Sequence, residues 1–166
     1  MMGIQNQGIL NLLEYVRKFA VDIRFIEMMP IGMGSSFPSV KEEDLKAELE
    51  KKLGPLTPCD EVLGNGPCRY YSAEGFRGRI GFISAVSHKF CSQCNRIRLT
   101  AEGFLKTCLQ YDCGVELKPA MADGCSDEEL EALIEKALRE KPLGHNFGSE
   151  SAFEGRDRRG MSQIGG

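Results

Sequence analysis

Three cysteines have the spacing that most clearly indicates chemistry in this chain of 166 residues. Cys91 and Cys94 form a C-x2-C pair, and Cys108 follows after 13 further residues. The pair puts two thiolates on one tight loop, and a hairpin after it would return the chain so that the third sulfur joins them. Converging thiolates hold zinc or an iron–sulfur cluster. The three cysteines therefore predict a metal centre.

The spacing does not distinguish between these two metals. A closed zinc site needs a fourth ligand, which Cys113 or His88 would supply. A cluster held by three cysteines instead leaves one iron open to a substrate. The other cysteines have no partner at metal-ligand spacing and are expected to be small buried side chains: Cys59, Cys68 and Cys125.

Two arginines follow the cysteine pair directly. Arg96 and Arg98 stand at positions i and i+2, which share one face if the segment is a strand. A planar guanidinium binds phosphate oxygens in pairs and keeps its charge at neutral pH. The pattern predicts an anion site beside the metal centre.

The composition is that of an ordinary globular protein. Apolar residues make up 42% of the chain and charged residues 27%, and the net charge is −3. A negative net charge argues against non-specific binding of nucleic acid. No apolar run approaches the roughly 20 residues that cross a bilayer, and the start lacks a signal-peptide pattern. We therefore expect a cytoplasmic protein without nucleic-acid or membrane partners, whose cysteines bind metal or stay reduced.

The elements predicted for the first part of the chain alternate between helix and strand. Apolar spacing predicts a helix over residues 9–20, and alternation predicts a strand from residue 21 that runs towards Met29. A second helix is predicted over residues 39–53, with Ser39 and Glu42 as a capping box. A helix closely followed by a strand is typical of an α/β layout with a parallel sheet.

The rest of the chain is typical of an α+β module. Residues 67–87 are β-like, and a second hairpin is predicted around residues 101–103. Residues 126–140 form the clearest helix, which begins with a Ser126–Glu129 capping box and has Leu130, Leu133, Ile134 and Leu138 on one face. From residue 144 onward, polar residues and glycines predict loop or loosely held chain.

The sequence around the cysteines closely resembles that of one family. Residues 88–100, followed by Cys108 and Leu109, resemble the second cluster segment of the GTP 3′,8-cyclases. Those are radical S-adenosylmethionine (SAM) enzymes of molybdenum cofactor biosynthesis. Residues 21–30, the helix after Gly124 and the ending 161–166 resemble the same family. The resemblance runs from about residue 6 to the last glycine and corresponds to the C-terminal half of the family's enzyme.

The resemblance implies a fold and a domain division. Residues 1–36 would be the last helix–strand unit of an incomplete radical-SAM (β/α) barrel. Residues 37–166 would be a C-terminal α+β domain with antiparallel hairpins that binds a [4Fe–4S] cluster and GTP. Its flexible tail, which ends in Gly165 and Gly166 after Arg156, Arg158 and Arg159, would reach into the active-site pocket.

The resemblance also implies roles for individual residues. Cys91, Cys94 and Cys108 would hold the [4Fe–4S] cluster, whose open iron binds the purine of GTP. The substrate-binding residues would be Arg96, Ile97 and Arg98. Met29, at the end of the barrel strand, would contact SAM. The reaction implied is conversion of GTP to (8S)-3′,8-cyclo-7,8-dihydroguanosine 5′-triphosphate.

The family's first cluster motif, C-x3-C-x2-C, does not occur in this sequence. We therefore expect a fragment, a truncated product or one half of a split enzyme, inactive alone. Its expected partners are GTP, an N-terminal radical-SAM half, a second copy in a homodimer, and the cyclic pyranopterin monophosphate synthase that receives the product. Two alternatives remain open: a zinc-stabilised binding module that uses Cys91, Cys94, Cys108 and Cys113, and an iron–sulfur electron carrier.

Overall fold

The computed structural model describes residues 8–61, 63–147, 155–157 and 159–164. The chain divides into two compact units. The first unit comprises Met1–Met29 and Gly34–Phe90, and the second comprises Pro30–Met33 and Cys91–Gly166. The division after residue 36, which the family resemblance implies, stays a prediction.

The first unit is built on a four-stranded mixed sheet in the order β1-β4-β3-β2. Its elements, in chain order, are α1 (Ile9–Lys18), β1 (Ile23–Ile26), α2 (Glu42–Leu53), β2 (Thr57–Cys59), β3 (Arg69–Ser72) and β4 (Ile80–Ile83). Strand β1 pairs in parallel with β4, with Ile23 opposite Ile80, while the other two pairings are antiparallel. The predicted first helix and first strand are confirmed, whereas the expected parallel sheet is a mixed one in which only the β1–β4 pairing is parallel.

One face of this sheet carries the core of the first unit. Phe82 is fully buried, with its ring 5.8 Å from that of Phe25 and 5.6 Å from that of Tyr71. Leu13 of α1 and Leu45 of α2 belong to the same cluster. Alternation in the strands and helical spacing in α1 and α2 bring these apolar side chains together.

The predicted capping box at the start of α2 is wrong. The helix begins at Glu42, its N-cap residue is Lys41, and that residue makes no capping hydrogen bond through its side chain. The Glu42 carboxylate is 3% exposed and accepts hydrogen bonds from Arg69 (2.7 Å) and from the Ser84 hydroxyl. Partners distant in sequence therefore take the oxygen that a capping box would use.

The second unit contains a three-stranded antiparallel sheet and two helices. Strands β5 (Arg98–Leu99), β6 (Phe104–Lys106) and β7 (Gly114–Glu116) are neighbours in that order. The helices are α3 (Leu117–Ala122) and α4 (Asp127–Arg139). The β5–β6 hairpin is confirmed, and its turn uses Gly103 at φ 89°, where glycine is unstrained.

Helix α4 begins as the sequence predicts but buries a different residue. The Ser126 hydroxyl accepts from the Glu129 backbone N–H at 3.2 Å, and the Glu129 carboxylate accepts from the Ser126 N–H at 2.9 Å. Ala137 is buried, whereas Leu138 of the predicted apolar face is 42% exposed. The capping box is confirmed, and the inclusion of Leu138 in the buried face is wrong.

The fold class is a mixture of α/β and α+β structure with antiparallel sheets. The incomplete barrel stays a prediction. Within the part of the chain that the structure describes, no helix has the length and apolar character needed to cross a bilayer.

Candidate metal and anion site

The predicted ligands Cys91, Cys94 and Cys108 all lie in the second unit and are half-buried. Cys91 opens a 3-10 turn over Cys91–Gln93, which closes with a 3.1 Å hydrogen bond from the Cys94 N–H to the Cys91 carbonyl. The C-x2-C spacing suits this turn, because residues i and i+3 are one full 3-10 turn apart. Cys108 lies two residues beyond the end of strand β6, near the end of the hairpin as predicted.

Electrostatic contacts place the cysteines in one neighbourhood. Burial raises the pKa of the Tyr111 hydroxyl, and the nearby thiolates of Cys108, Cys113 and Cys91 raise it further. Cys94 and Cys108 both act on the guanidinium of Arg98. Cys91 and Cys108 therefore share Tyr111 as a neighbour, and Cys94 and Cys108 share Arg98.

The surroundings of Cys108 favour its thiolate form. A hydrogen bond with the Cys113 side chain, helped by the backbone N–H groups of Tyr111 and Gln110, lowers its pKa to about 5 in spite of its burial. The same hydrogen bond, together with burial, raises the pKa of Cys113, which also lies 3.4 Å from the Thr107 hydroxyl. A thiolate is the form of cysteine that ligates metal. Cys113 thus interacts with a predicted ligand, a role that the spacing did not predict.

The donor set consists of three half-buried cysteine thiols with cationic side chains beside them. Within residues 8–61, 63–147, 155–157 and 159–164, no three Cys, His, Asp or Glu side chains converge closely enough to bind one metal ion. Cysteine thiolates are ligands of both zinc and iron–sulfur clusters, so the chemistry of these residues fits either group. The choice of a [4Fe–4S] cluster stays a prediction.

The arginine pair lies close together, but not by the predicted geometry. Strand β5 begins at Arg98, so Arg96 and Ile97 precede it and the expected i, i+2 strand face is absent. In the segment before the strand, Lys141 donates to the carbonyl oxygens of Cys94 and Arg96. The two guanidinium groups still interact, because burial and then the charge of Arg96 lower the pKa of Arg98. The cations share one locality beside Cys94.

Met29 lies in the first unit, three residues beyond the C-terminal end of β1, and is partly exposed. Near it, Glu27 is 2% exposed and accepts hydrogen bonds from the backbone N–H groups of Val86 (2.7 Å) and Ser87 (2.9 Å). Glu27 was not predicted from the sequence, although a carboxylate inside an apolar strand run was a usable signal. The SAM contact of Met29 stays a prediction.

The tail is more firmly packed than the sequence predicts. Gln110 and Asn146 exchange two hydrogen bonds of 2.5 and 2.9 Å, and Phe147 and Ile164 are buried. The described residues from 144 onward are loop with one 3-10 turn (Met161–Gln163), so the prediction of a loop is confirmed for them, whereas these contacts show that they are not loosely held. This stretch is held by hydrogen bonds to residues more than 30 positions away in the chain, which local composition does not reveal.

The tail arginines have separate surroundings. Arg156 forms a β-bridge with Tyr111. Arg159 binds the carboxylates of Asp157 and Asp112 and lies 4.6 Å from the centre of the Phe104 ring. Its charge is thus already balanced within the second unit. Arg158, Gly165 and Gly166 lie outside the described residues.

Two lysines of this unit were missed by the sequence analysis. The Lys141 ammonium donates to the carbonyls of Cys94 (2.7 Å) and Arg96 (3.0 Å) and lies 3.6 Å from the Cys94 sulfur. The side chain of Lys106 is fully buried and is paired with Asp157. No local pattern marks either lysine, because each partner lies about 50 residues away.

Comparison with known proteins agrees with the resemblance seen in residues 88–109. The family model described as Molybdenum Cofactor Synthesis C matches residues 21–147. A GTP 3′,8-cyclase of Clostridium perfringens (strain SM101 / Type A) is 46% identical over 158 residues, which are 95% of this chain and 48% of that protein. One of Syntrophomonas wolfei is 43% identical over 167 residues, with 99% of this chain and 50% of that protein covered.

A third GTP 3′,8-cyclase, from Petrotoga mobilis, is 38% identical over 172 residues, which cover 100% of this chain and 50% of that protein. The chain thus spans about half the length of the curated relatives that it matches. The family model covers well over half of the chain and includes all three predicted cysteine ligands. The chain therefore belongs to the Molybdenum Cofactor Synthesis C family.

Proposed function

We propose that this chain binds GTP and a [4Fe–4S] cluster as part of a GTP 3′,8-cyclase of molybdenum cofactor biosynthesis, in the cytoplasm. The observation that carries the proposal is the half-buried position of Arg98, whose charge interacts with Arg96 and with the thiols of Cys94 and Cys108. The names of the relatives support the substrate, and the family model supports the pathway.

Cys91, Cys94 and Cys108 would hold the cluster. When bound, it supplies an iron with an open coordination position for the purine of GTP. The cysteines' own contribution is to fix that position: the 3-10 turn holds Cys91 and Cys94 together, and the hydrogen bond with Cys113 favours the thiolate of Cys108.

Arg96 and Arg98 would bind the negative charge of GTP. Burial and the charge of Arg96 both disfavour the charged form of Arg98, yet an arginine stays cationic at neutral pH. An anion between the two guanidinium groups relieves their repulsion, so the pair favours an anionic ligand. Ile97, which is 44% exposed, would contact the same ligand through its apolar side chain.

Holding the base and the triphosphate at two fixed points restricts the rotation of the ribose between them. Orientation of this kind is a large contribution to rate enhancement in general. In the complete enzyme, SAM supplies the radical chemistry, and Met29 is the residue of this chain that would contact it.

The C-x3-C-x2-C segment would come from an N-terminal radical-SAM half, and the product would pass to the cyclic pyranopterin monophosphate synthase. A homodimer is the proposed assembly. Because the sequence lacks the first cluster motif, the chain alone is expected not to turn GTP over.

The test is anaerobic reconstitution of the chain, with iron and zinc counted and the EPR spectrum recorded with and without GTP. We expect about four irons per chain and a spectrum that GTP shifts. Arg98→Met should weaken GTP binding about 10- to 100-fold, as expected for loss of one charged hydrogen-bonding partner, with iron content unchanged.

Arg139→Met is the matched control, because Arg139 is an exposed arginine of α4 paired with Glu135. One zinc, no iron and no response to GTP would overturn the proposal in favour of the zinc module. Four irons without any response to GTP would overturn it in favour of an electron carrier.

A further inference from the structure

Lys141 is held in a fixed position at the end of α4. Its backbone N–H donates to the Leu138 carbonyl at 3.3 Å, and Pro142 follows it directly. Its side chain is half-buried and reaches the cysteine turn, where the ammonium contacts two carbonyl oxygens and the Cys94 sulfur. A partly buried ammonium is stabilised by several acceptors, and these three atoms supply them.

The segment that begins with Lys141 touches both cysteine-bearing loops. A Cβ on Gly144 would lie 3.5 Å from the Cys91 Cβ and 3.8 Å from its sulfur, so the backbone there packs against the first loop. Asn146 exchanges hydrogen bonds with Gln110, two residues after Cys108. Gln110 is 1% exposed, which makes this second contact a buried one.

We infer that Lys141 is a positioning residue of the cluster site, an assignment that rests on the proposed function. The ammonium turns the carbonyls of Cys94 and Arg96 towards itself, which fixes the backbone between Cys94 and Arg98. It also puts one positive charge beside the Cys94 thiolate. A positive charge close to a cysteine ligand stabilises the more negative, reduced state of an iron–sulfur cluster and so raises its reduction potential.

Two substitutions separate this role from simple packing. Lys141→Met keeps the length and the apolar part of the side chain but removes the charge and the donors. Lys141→Arg keeps both and should restore the wild-type behaviour. Lys136→Met is the control, because Lys136 is an exposed lysine of α4, the same element from whose end Lys141 extends.

The first measurement needs no cluster. Hydrogen exchange of the metal-free chain, read on peptides that cover residues 91–97, should be several-fold faster in Lys141→Met than in the wild type. Peptides that cover β6 (Phe104–Lys106) should be unchanged. Wild-type exchange rates over residues 91–97 in Lys141→Met would overturn the inference.

The second measurement uses the reconstituted chain. Lys141→Met should lose iron to a chelator about 10-fold faster, the effect typical of removing an outer partner of a metal ligand, and should have a lower midpoint potential. Lys141→Arg should have neither change. A midpoint potential that does not differ between Lys141→Met and Lys136→Met would overturn the electrostatic part of the assignment.

The two measurements distinguish failure of this inference from failure of the proposed function. A chain that takes up zinc instead of iron contradicts the proposed function, while the exchange measurement still decides whether Lys141 orders the turn. If Lys141→Met does not fold, judged by its circular dichroism, Lys141→Gln takes its place, because glutamine removes the charge but keeps a donor.

Discussion

Replacing Asp157 by asparagine breaks a buried ion pair of the second unit. The Lys106 side chain is 0% exposed, and its ammonium donates to the Asp157 carboxylate and, at 2.5 Å, to the Tyr111 carbonyl. Asp157 also accepts from the Arg159 backbone N–H at 2.8 Å and from its guanidinium at 3.0 Å. The substitution leaves a buried ammonium with a neutral partner.

The expected loss follows from this burial. Removing one member of a buried ion pair costs about 3–5 kcal/mol, because the remaining charge is neither solvated nor paired. For a protein of this size, each kcal/mol lowers the melting temperature by roughly 2–4 °C, so we expect a decrease of roughly 6–20 °C. The exposed pair Glu135–Arg139 is the control, and Glu135→Gln should cost about 0.5 kcal/mol or less.

The effect should depend on pH. Burial alone would raise the pKa of Asp157, but hydrogen bonds from Arg159 and Lys106 outweigh it and hold the pKa below its ordinary value. The carboxylate therefore contributes stability above the unfolded pKa of about 3.9, and this contribution is lost as the pH falls through the lower folded value. The difference in the free energy of unfolding between the wild type and Asp157→Asn should have its full value near pH 7 and decrease below about pH 4.

The assay is guanidinium denaturation followed by circular dichroism, at equal iron content and at several pH values. A change in the free energy of unfolding for Asp157→Asn no larger than that for Glu135→Gln would contradict the role of the buried ion pair. So would a difference between wild type and Asp157→Asn that stays constant down to pH 3. A double variant, Lys106→Met with Asp157→Leu, should recover much of the loss, because it leaves no buried charge behind in this pair.

Two further substitutions test the local structure of the second unit by thermal unfolding. Ser126→Ala removes the capping box with Glu129 and should cost about 1 kcal/mol; an unchanged melting temperature would contradict the role of the cap. Gly114→Ala puts a Cβ 1.9 Å from the Leu105 carbonyl oxygen at φ 152° and should cost about 1–3 kcal/mol by disturbing the β6–β7 pairing. Gly124→Ala, whose Cβ would meet nothing within 4 Å, is its control and should cost less; equal losses would contradict the close approach.

The sequence alone determined those features whose partners lie within a few residues. The capping box of Ser126 and Glu129 spans three residues, and the β5–β6 hairpin closes around Gly103. Helical spacing in α1 and the C-x2-C turn are equally local. Residues 88–109, together with three further stretches, also predicted the family, because the type and the order of the ligands are properties of the sequence itself.

The tertiary structure decided which charged side chains pair with which partners. Glu42 was predicted to be a helix cap, but its carboxylate binds Arg69, 27 residues away. No local pattern marked Lys141 or Asp157, because their partners Cys94 and Lys106 lie 47 and 51 residues away in the chain. A helix or turn is selected by interactions that a short segment makes with itself, so its pattern can be recognised in the sequence. A buried charge is stable only where distant segments bring its acceptors or donors to it. Whether those segments come together depends on the packing of the whole unit.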